Sequence, residues 1–313
     1  MSFASDVKNE VARLELDENG KKAELCAIIK LLSTMSLSSH GLALTVRSKN
    51  ANVIRMVSEY VNDIYGIKPG LGAIKDNRFD KKNIYAVVIE DKVREILKDL
   101  DLWTENGIQE HPRMKFLSND NMIRAYLSGC FLATGSVNHP SKTNYHMEVV
   151  VNEESHAEFI VRLLAKFYIN ARIAIRRGQY VVYVKASEQI SDFLRLMGAS
   201  NAIFTFEDVR IQRDFVNNLS RLNNCELAND AKSLQTAHKQ YEAVEFLLQK
   251  GHMEKLSEKD QEMAMLRFEN PDASLLELSE LYEDRTGTVL SKSGIRHRFN
   301  KIMELAEKYR NRG

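Results

Sequence analysis

Cysteine is scarce in this sequence, and its spacing narrows the kinds of site that the chain can build. The three cysteines, Cys26, Cys130 and Cys225, lie far apart, and none belongs to a Cys-x-x-Cys pair. This spacing argues against a disulfide framework and against a cysteine-ligated zinc site. It suits the reducing cytosol, so we expect a cytoplasmic protein.

Long apolar runs and an excess of charge of one sign are also lacking. No run approaches the ~20 apolar residues that span a membrane, and the charged segment Met1–Glu10 lacks the apolar stretch of a secretory leader. We therefore expect no membrane partner. With 44 Lys and Arg against 43 Asp and Glu, the net charge is only +1. A surface for nucleic acid therefore has to come from local segregation of charge.

The chain is long enough for more than one domain, and its first 200 or so residues repeat. At 313 residues, two or three domains with hydrophobic cores are expected. A helix–strand–helix–strand–strand–helix pattern over about 22–103 recurs over about 119–198, with Leu25 aligned on Leu127 at an offset of 102. Two copies imply a pseudo-two-fold pair.

The helix that opens the second copy carries the most specific motif of the chain. Apolar residues recur at helical spacing within Arg124–Asn138. Gly129 and Ala133 lie four residues apart on one face, and such small residues let two helices approach closely. Gly135 is expected to end the helix in the left-handed conformation that helix ends favour.

Residues Leu127–Gly135 read Leu-Ser-Gly-Cys-Phe-Leu-Ala-Thr-Gly, which resembles the signature helix of the LAGLIDADG homing endonucleases. In that family an acid near the helix end holds a divalent metal for phosphodiester cleavage. Here that position is Thr134, and the aligned position of the first copy is Leu32. Neither side chain supplies the charge that such a cation requires. The resemblance therefore implies the scaffold of a nuclease, with no metal, no cofactor and no catalysis.

After the two copies, the sequence is helical in character to its end. Residues 206–250 contain no Pro or Gly and are predicted to form a helical connector, which asparagines such as Asn218 interrupt once or twice. The final residues are predicted to form a three-helix module. Its helices begin at Ser257, at the capping-box residue Ser274 and at Ser291.

Charge is segregated within this final module. Residues 253–284 hold three bases and ten acids, a net charge of −7, whereas residues 285–313 hold eight bases and two acids, a net charge of +6. A polyanion would therefore meet the third helix, which is the reading helix of a helix-turn-helix. The spacing predicts that this helix buries one apolar stripe. The stripe consists of Ile295, Phe299, Ile302 and Ala306.

The segments Asn270–Leu278, Ser291–Phe299 and Met1–Glu10 resemble the corresponding segments of the WhiA family, so the resemblance covers essentially the whole chain. It implies a non-catalytic bacterial DNA-binding regulator of transcription, cell division and chromosome segregation, located in the cytoplasm with the nucleoid. The implied partner is double-stranded DNA, and no small-molecule substrate is expected.

The predicted fold class is α+β. A pseudo-two-fold LAGLIDADG homing-endonuclease-like domain is expected at 1–205, a helical connector at 206–250 and an all-α helix-turn-helix DNA-binding domain at 251–313. Two sets of side chains are predicted to contact DNA. The first set belongs to the reading helix: Ser291, Lys292, Ser293, His297, Arg298 and Lys301. The second set belongs to the sheets of the first domain: Arg47, Lys49, Arg176 and Arg177.

Other interpretations fit parts of the sequence. The charges on the reading helix also fit a solvated face, and those on the sheets also fit edge charge that prevents unwanted strand pairing. A sigma-like adaptor would act mainly through RNA polymerase, and a metal-dependent endonuclease would need the missing acids. His146 and Glu148 match the His-x-Glu motif of zinc deaminases, but no Pro-Cys-x-x-Cys follows.

Overall fold

A computed structural model describes residues 2–38, 41–75 and 83–311 of the protein. It contains two compact units, Met1–Asp214 and Phe215–Gly313, and a long helix, α8 (Ser200–Gln249), contributes to both. We refer to them as the first and second units. None of the helices in the described part of the chain combines the length and the apolarity that a bilayer crossing requires.

The first unit opens with a short helix and the first repeat. Helix α1 (Phe3–Val11) buries Phe3, Val7 and Val11 against the rest of the unit. The first repeat then consists of α2 (Glu18–Leu32), β1 (Ser33–Ser38), β2 (Gly41–Ser48), α3 (Ala51–Tyr65), β3 (Gly70–Lys75), β4 (Asn83–Ile89) and α4 (Val93–Asp99). Asp17 caps the start of α2 by accepting a hydrogen bond from the Gly20 amide at 2.7 Å.

A two-stranded hairpin, β5 (Trp103–Thr104) and β6 (Gly107–Ile108), precedes the second repeat. That repeat consists of α5 (Asp120–Thr134), β7 (Ser136–Val137), β8 (Met147–Val151), α6 (Glu154–Ala165), β9 (Arg172–Arg176), β10 (Gln179–Val184) and α7 (Ser187–Leu196). The first turns of α8 complete the unit, where Ala202 and Phe206 are buried.

The two repeats have the same sheet topology. Each forms a four-stranded antiparallel sheet, in the order β1-β2-β4-β3 in the first repeat and β7-β8-β10-β9 in the second. The predicted repeat is therefore confirmed, but each copy contains one strand more than the sequence pattern indicated, since β1 and β7 follow the opening helix directly. In addition, the second strand of the second copy begins at Met147, four residues later than the offset of 102 from Gly41 predicts, so β8 is shorter than β2 at this end.

Helices α2 and α5 pack against each other in the middle of the first unit. A Cβ atom at Gly129 would lie 2.5 Å from the carbonyl oxygen of Glu24 and 2.9 Å from the Cβ atom of Ala27. The predicted close approach is therefore present, and it requires glycine. Leu25 and Leu127, the two aligned signature residues, are both buried beside this contact.

Gly135 ends α5 for a different reason from the one predicted. Its φ of −69° and ψ of 151° are extended backbone, so the expected left-handed conformation is wrong. A Cβ atom at this position would meet Phe131 at 2.4 Å. Close contact with the last turn of the helix, and not backbone freedom, therefore selects glycine here.

The second unit combines the end of α8 with three helices, α9 (Glu258–Glu269), α10 (Leu275–Thr286) and α11 (Lys292–Arg310). The predicted N-caps are all present, including the full capping box at Ser274. A buried core joins α8 to the three helices through Val244, Leu247, Leu256, Met263, Ala264, Leu266, Leu278, Tyr282, Ile295, Phe299, Ile302 and Ala306. The breaks predicted in the connector are absent, since α8 is one continuous helix over Ser200–Gln249.

Candidate nucleic-acid interface

The sequence builds α11 with one buried stripe and a polar remainder. Ser291 caps the helix by accepting a hydrogen bond from the Gly294 amide at 3.2 Å, and the predicted apolar stripe is buried. Ser293, His297 and Lys301 are exposed, as the sequence predicted. The Ser291 and Ser293 hydroxyl oxygens lie 3.0 Å apart, so both are placed at the exposed start of the helix.

A groove of about 870 Å³ runs beside α11 in the second unit. Lys292 and Arg296 of α11 line it, together with Lys232 of α8 and the N-cap Ser274 of α10. Three cations and the positive end of a helix dipole therefore converge on one groove. Such an arrangement attracts phosphate groups, because the three charges and the dipole of α10 act together.

Sequence reasoning missed two residues of α11 that line this groove. Arg296 and Asn300 both line it and are both exposed, yet neither is among the residues predicted to contact DNA. The signal was present in the spacing, because Lys292, Arg296 and Asn300 recur at four-residue intervals and so share one side of the helix.

Arg298 does not lie on the outside of α11 as predicted. Its Nη1 atom donates to Asp260 Oδ1 at 2.9 Å, and the two side chains are only 19% and 8% exposed. The guanidinium also lies 5.9 Å from the centre of the Tyr282 ring. Since α9 supplies Asp260 and α10 supplies Tyr282, Arg298 ties α11 to the other two helices of the module.

A second buried arginine fixes the wall of the groove. Arg267 is only 1% exposed, and its Nη2 atom donates to Gln240 Oε1 of α8 at 2.9 Å. Its Nη1 atom donates to the backbone carbonyls of the turn before α10, including that of Ala273. These hydrogen bonds hold α8 beside the start of α10.

Acidic side chains collect on another surface of the second unit. A shallow depression of about 630 Å³ is lined by Glu269, Asp272, Glu277, Glu280 and Asp284. Among the bases of the last segment, Arg285 pairs with Glu269 and Arg298 pairs with Asp260. The charge that is presented outward by the first half of α11 therefore comes from Lys292, Arg296 and Lys301, and Lys308 and Arg310 are exposed near its end.

In the first unit, the predicted basic residues lie on two separate sheets. Val46 points into the core, so alternation places Arg47 on the outward face of the first sheet. Arg47 is exposed, as is Lys49 beyond the end of β2. Its neighbours across the sheet are small, since Arg47 is aligned with Ala86, which is aligned with Gly72.

The second sheet carries its own polar cluster. Arg176 donates to Glu148 Oε1 at 3.0 Å, and His146 Nε2 lies 2.9 Å from Glu148 Oε2. Arg176 and His146 lower the pKa of the Glu148 carboxyl below its ordinary value, against the opposing effect of burial. Arg177 is exposed in the turn between β9 and β10, with a φ of 53°. The carboxylate of Glu148 thus offsets the charge of Arg176, and Arg177 presents its charge outward.

The ends of α2 and α5 carry no metal-binding carboxylate at the two signature positions, which are Leu32 and Thr134. Among the described residues, no group lies within hydrogen-bonding distance of the buried Thr134 Oγ1. The same part of the chain contains no group of three or more His, Cys, Asp or Glu side chains placed to hold a metal ion.

Family models match three parts of the chain. The N-terminal LAGLIDADG-like domain of WhiA matches residues 18–103, the LAGLIDADG-like domain of WhiA matches residues 123–216, and the C-terminal HTH domain of WhiA matches residues 219–306. Together with the two sheets and the three capped helices, these matches define a LAGLIDADG-like domain of two repeats followed by a helix-turn-helix domain.

Relatives over the full length identify the family. The chain is 39% identical over 310 residues to a probable cell division protein WhiA of Ligilactobacillus salivarius, with 99% of the chain and 98% of the relative covered. It is 41% identical over 313 residues to the protein of the same name in Staphylococcus carnosus, with 99% and 98% covered. The chain belongs to the WhiA family.

The solved structures agree on the fold. The crystal structure of full-length DUF199/WhiA from Thermotoga maritima matches with a TM-score of 0.57 at 20% identity, and the match covers 98% of this chain and 99% of that chain. The α+β fold predicted from the sequence, with a LAGLIDADG-like domain and a helix-turn-helix domain, is therefore confirmed.

Proposed function

We propose that this protein is a non-catalytic DNA-binding regulator that acts in transcription, and through it in cell division and chromosome segregation. The observation that supports the proposal most is the groove beside α11, where Lys232, Lys292 and Arg296 meet the start of α10. In a helix-turn-helix the reading helix enters the major groove, and cations beside that helix bind the phosphates of the DNA backbone. Such a protein acts on the chromosome, in the cytoplasm with the nucleoid.

The side chains of α11 divide into two roles in this proposal. Lys292, Arg296 and Lys301 contact phosphates, which fixes the position of the helix on the duplex and makes affinity depend on salt. Ser293, His297 and Asn300 carry hydrogen-bonding groups without fixed charge, and they read base edges. Arg298 takes no part in contact, because its ion pair with Asp260 holds it inside the module.

The first unit adds a second, weaker DNA surface in this proposal. Arg47, Lys49 and Arg177 are exposed on or beside its sheets, and Arg176 contributes only partly because of its ion pair with Glu148. Two weak surfaces on one chain bind more tightly than either alone, since the second contact becomes intramolecular.

We also propose that the first unit does not cleave DNA. A two-metal phosphodiesterase needs acidic oxygens at the helix ends, and Leu32 and Thr134 occupy those positions. Binding without cleavage is the behaviour required of a regulator, which has to leave its target intact.

The test is duplex binding by the full chain and by two variants that each remove three lysine or arginine charges from the second unit. The first variant carries Lys292→Ala, Arg296→Ala and Lys301→Ala. The control carries Lys250→Ala, Lys259→Ala and Lys308→Ala, all at exposed positions away from the groove. We expect the first variant to lose most of the affinity and the control to retain it. Equal losses in both variants would refute the role of α11.

A further inference from the structure

The long helix α8 carries an apolar seam that faces solvent. Ile211, Phe215, Asn218, Leu222 and Cys225, hereafter the seam, recur at intervals of four, three, four and three residues. This alternation is the a/d pattern of a coiled coil. All five residues are exposed, and the three large apolar ones are 60%, 69% and 62% exposed. Soluble proteins rarely leave such a row of large apolar side chains uncovered.

The opposite side of the same helix is the side that packs within the first unit. Phe206 is fully buried there, and Arg213 Nη1 donates to the carbonyl oxygens of Pro140 and Lys142 at 2.7 and 2.6 Å. At 100° per residue, Arg213 lies about 160° around the helix from Phe215. Within the first unit, the helix is therefore anchored by one side, and the seam lies on the opposite side of the helix.

We propose that the seam binds the seam of a second copy of this chain, as a short parallel two-stranded coiled coil. A second copy fits because the charges that flank the seam are complementary to themselves. Arg221 occupies the g position and Glu226 the following e position, and in a parallel pair these two positions meet across the interface, twice by symmetry. Asn218 faces Asn218 of the second copy, so that the two side-chain amides form hydrogen bonds with each other inside the seam.

The proposed coiled coil covers only the residues of the seam. The next positions in the same alternation are Asp208 before the seam and Asn229 and Lys232 after it, which are polar or charged. Two heptads bury little area, so the dimer is weak and depends on concentration. Each dimer presents two helix-turn-helix modules, which increases affinity wherever both contact one ligand.

The first experiment measures the mass of the full chain by sedimentation equilibrium over a range of concentrations. We expect a monomer–dimer equilibrium in the wild type. Leu222→Glu places a carboxylate in the seam and weakens self-association by about tenfold or more. Leu227→Glu is the matched control, because Leu227 is 67% exposed on the same helix but lies outside the seam. A wild type that stays monomeric, or equal effects of the two variants, overturns the proposal.

The second experiment tests the orientation. Arg221→Glu and Glu226→Arg should each weaken the dimer, and the double variant should restore it, because the pair is then reversed and again attractive. Cys225 is the exposed cysteine, whereas Cys26 and Cys130 are buried. A short bismaleimide should therefore link two chains through Cys225 and should fail in Cys225→Ser. A double variant that stays as weak as the single ones, or a dimer that the reagent does not link, overturns the parallel pairing.

Discussion

Gly129 of α5 lies against the backbone of α2 at Glu24, so that an added Cβ atom would be 2.5 Å from the Glu24 carbonyl oxygen. This contact sets how closely the two repeats approach, because α2 belongs to the first and α5 to the second. The same stretch of α2 buries the Glu24 side chain, whose Oε2 accepts a hydrogen bond from the Tyr60 hydroxyl at 3.0 Å. Glu24 thus takes part both in this close helix contact and in a buried polar pair.

Gly129→Ala should destabilise the first unit by about 2 kcal/mol, since overpacking against backbone outweighs the gain in helix propensity. The measurement is the free energy of unfolding from urea titration. Gly72→Ala is the control, because nothing lies within 4 Å of a Cβ atom at that position. A Gly129→Ala protein as stable as the control would contradict the close approach.

The stability of the first unit should fall as pH rises from about 5 to about 8. Burial raises the pKa of the Glu24 carboxyl from 4.5 to about 8, although the hydrogen bond from Tyr60 lowers it in part. Between these values the folded state holds a proton that the unfolded state has lost, so each pH unit costs at most ~1.4 kcal/mol. The contribution is complete below pH 4.5 and is lost as pH passes through the folded pKa.

The variant Glu24→Gln isolates this effect, because its side chain stays neutral at every pH. Its melting temperature relative to the wild type should rise between pH 5 and pH 8. Glu18→Gln, at the exposed start of α2, should follow the wild type instead. A constant difference between Glu24→Gln and the wild type would show that Glu24 does not titrate in this range.

The periodicity of the sequence predicted the core elements well, because burial and helical spacing are tightly coupled. The N-caps at Ser257, Ser274 and Ser291 and the buried stripe of α11 follow from local chemistry. Strand β1 did not follow from it, because Ser33–Ser38 is mostly Ser and Thr and becomes a strand by pairing with β2. Whether such a segment forms a strand depends on its pairing with another strand, and this pairing cannot be identified from a single sequence.

The candidate site was predicted less completely, because exposure depends on partners that are distant in the chain. Arg298 and Lys301 are both basic residues of the same helix, and the sequence pattern does not distinguish them. Arg298 nevertheless lies inside the module, because it forms an ion pair with Asp260, 38 residues earlier in the chain. The groove formed by Lys232 and Arg296 also joins elements that are far apart in the chain.

Asparagines were expected to break α8, but each exposed asparagine costs a helix only a fraction of 1 kcal/mol (~0.7 at most).

Arg298→Ala should reduce the stability of the second unit and leave phosphate contact unchanged. Removing the guanidinium leaves the Asp260 carboxylate, which is 8% exposed, without its counter-ion. A buried charge without a counter-ion costs about 1–3 kcal/mol. Lys292→Ala, at an exposed position, should change stability by less than about 0.5 kcal/mol. Thermal unfolding of both variants tests this prediction. Equal stabilities of the two variants would show that Arg298 does not connect the helices of the second unit.

Purified protein should leave supercoiled plasmid intact in Mg²⁺ or Mn²⁺. The physical reason is the absence of charge at Leu32 and Thr134, where a cation would need carboxylate ligands. Gel electrophoresis of the plasmid after incubation measures nicking, with EDTA-treated samples as the control. Nicking that requires the metal and disappears on chelation would contradict the proposed loss of catalysis.

The salt dependence of duplex affinity tests the central claim most directly. Each phosphate that is neutralised contributes a slope of about −0.9 to a plot of log affinity against log salt concentration. We predict that Lys292→Ala, Arg296→Ala and Lys301→Ala together make the slope shallower by about 2–3. An unchanged slope in this variant, or a wild type that does not bind duplex at low salt, would contradict the account.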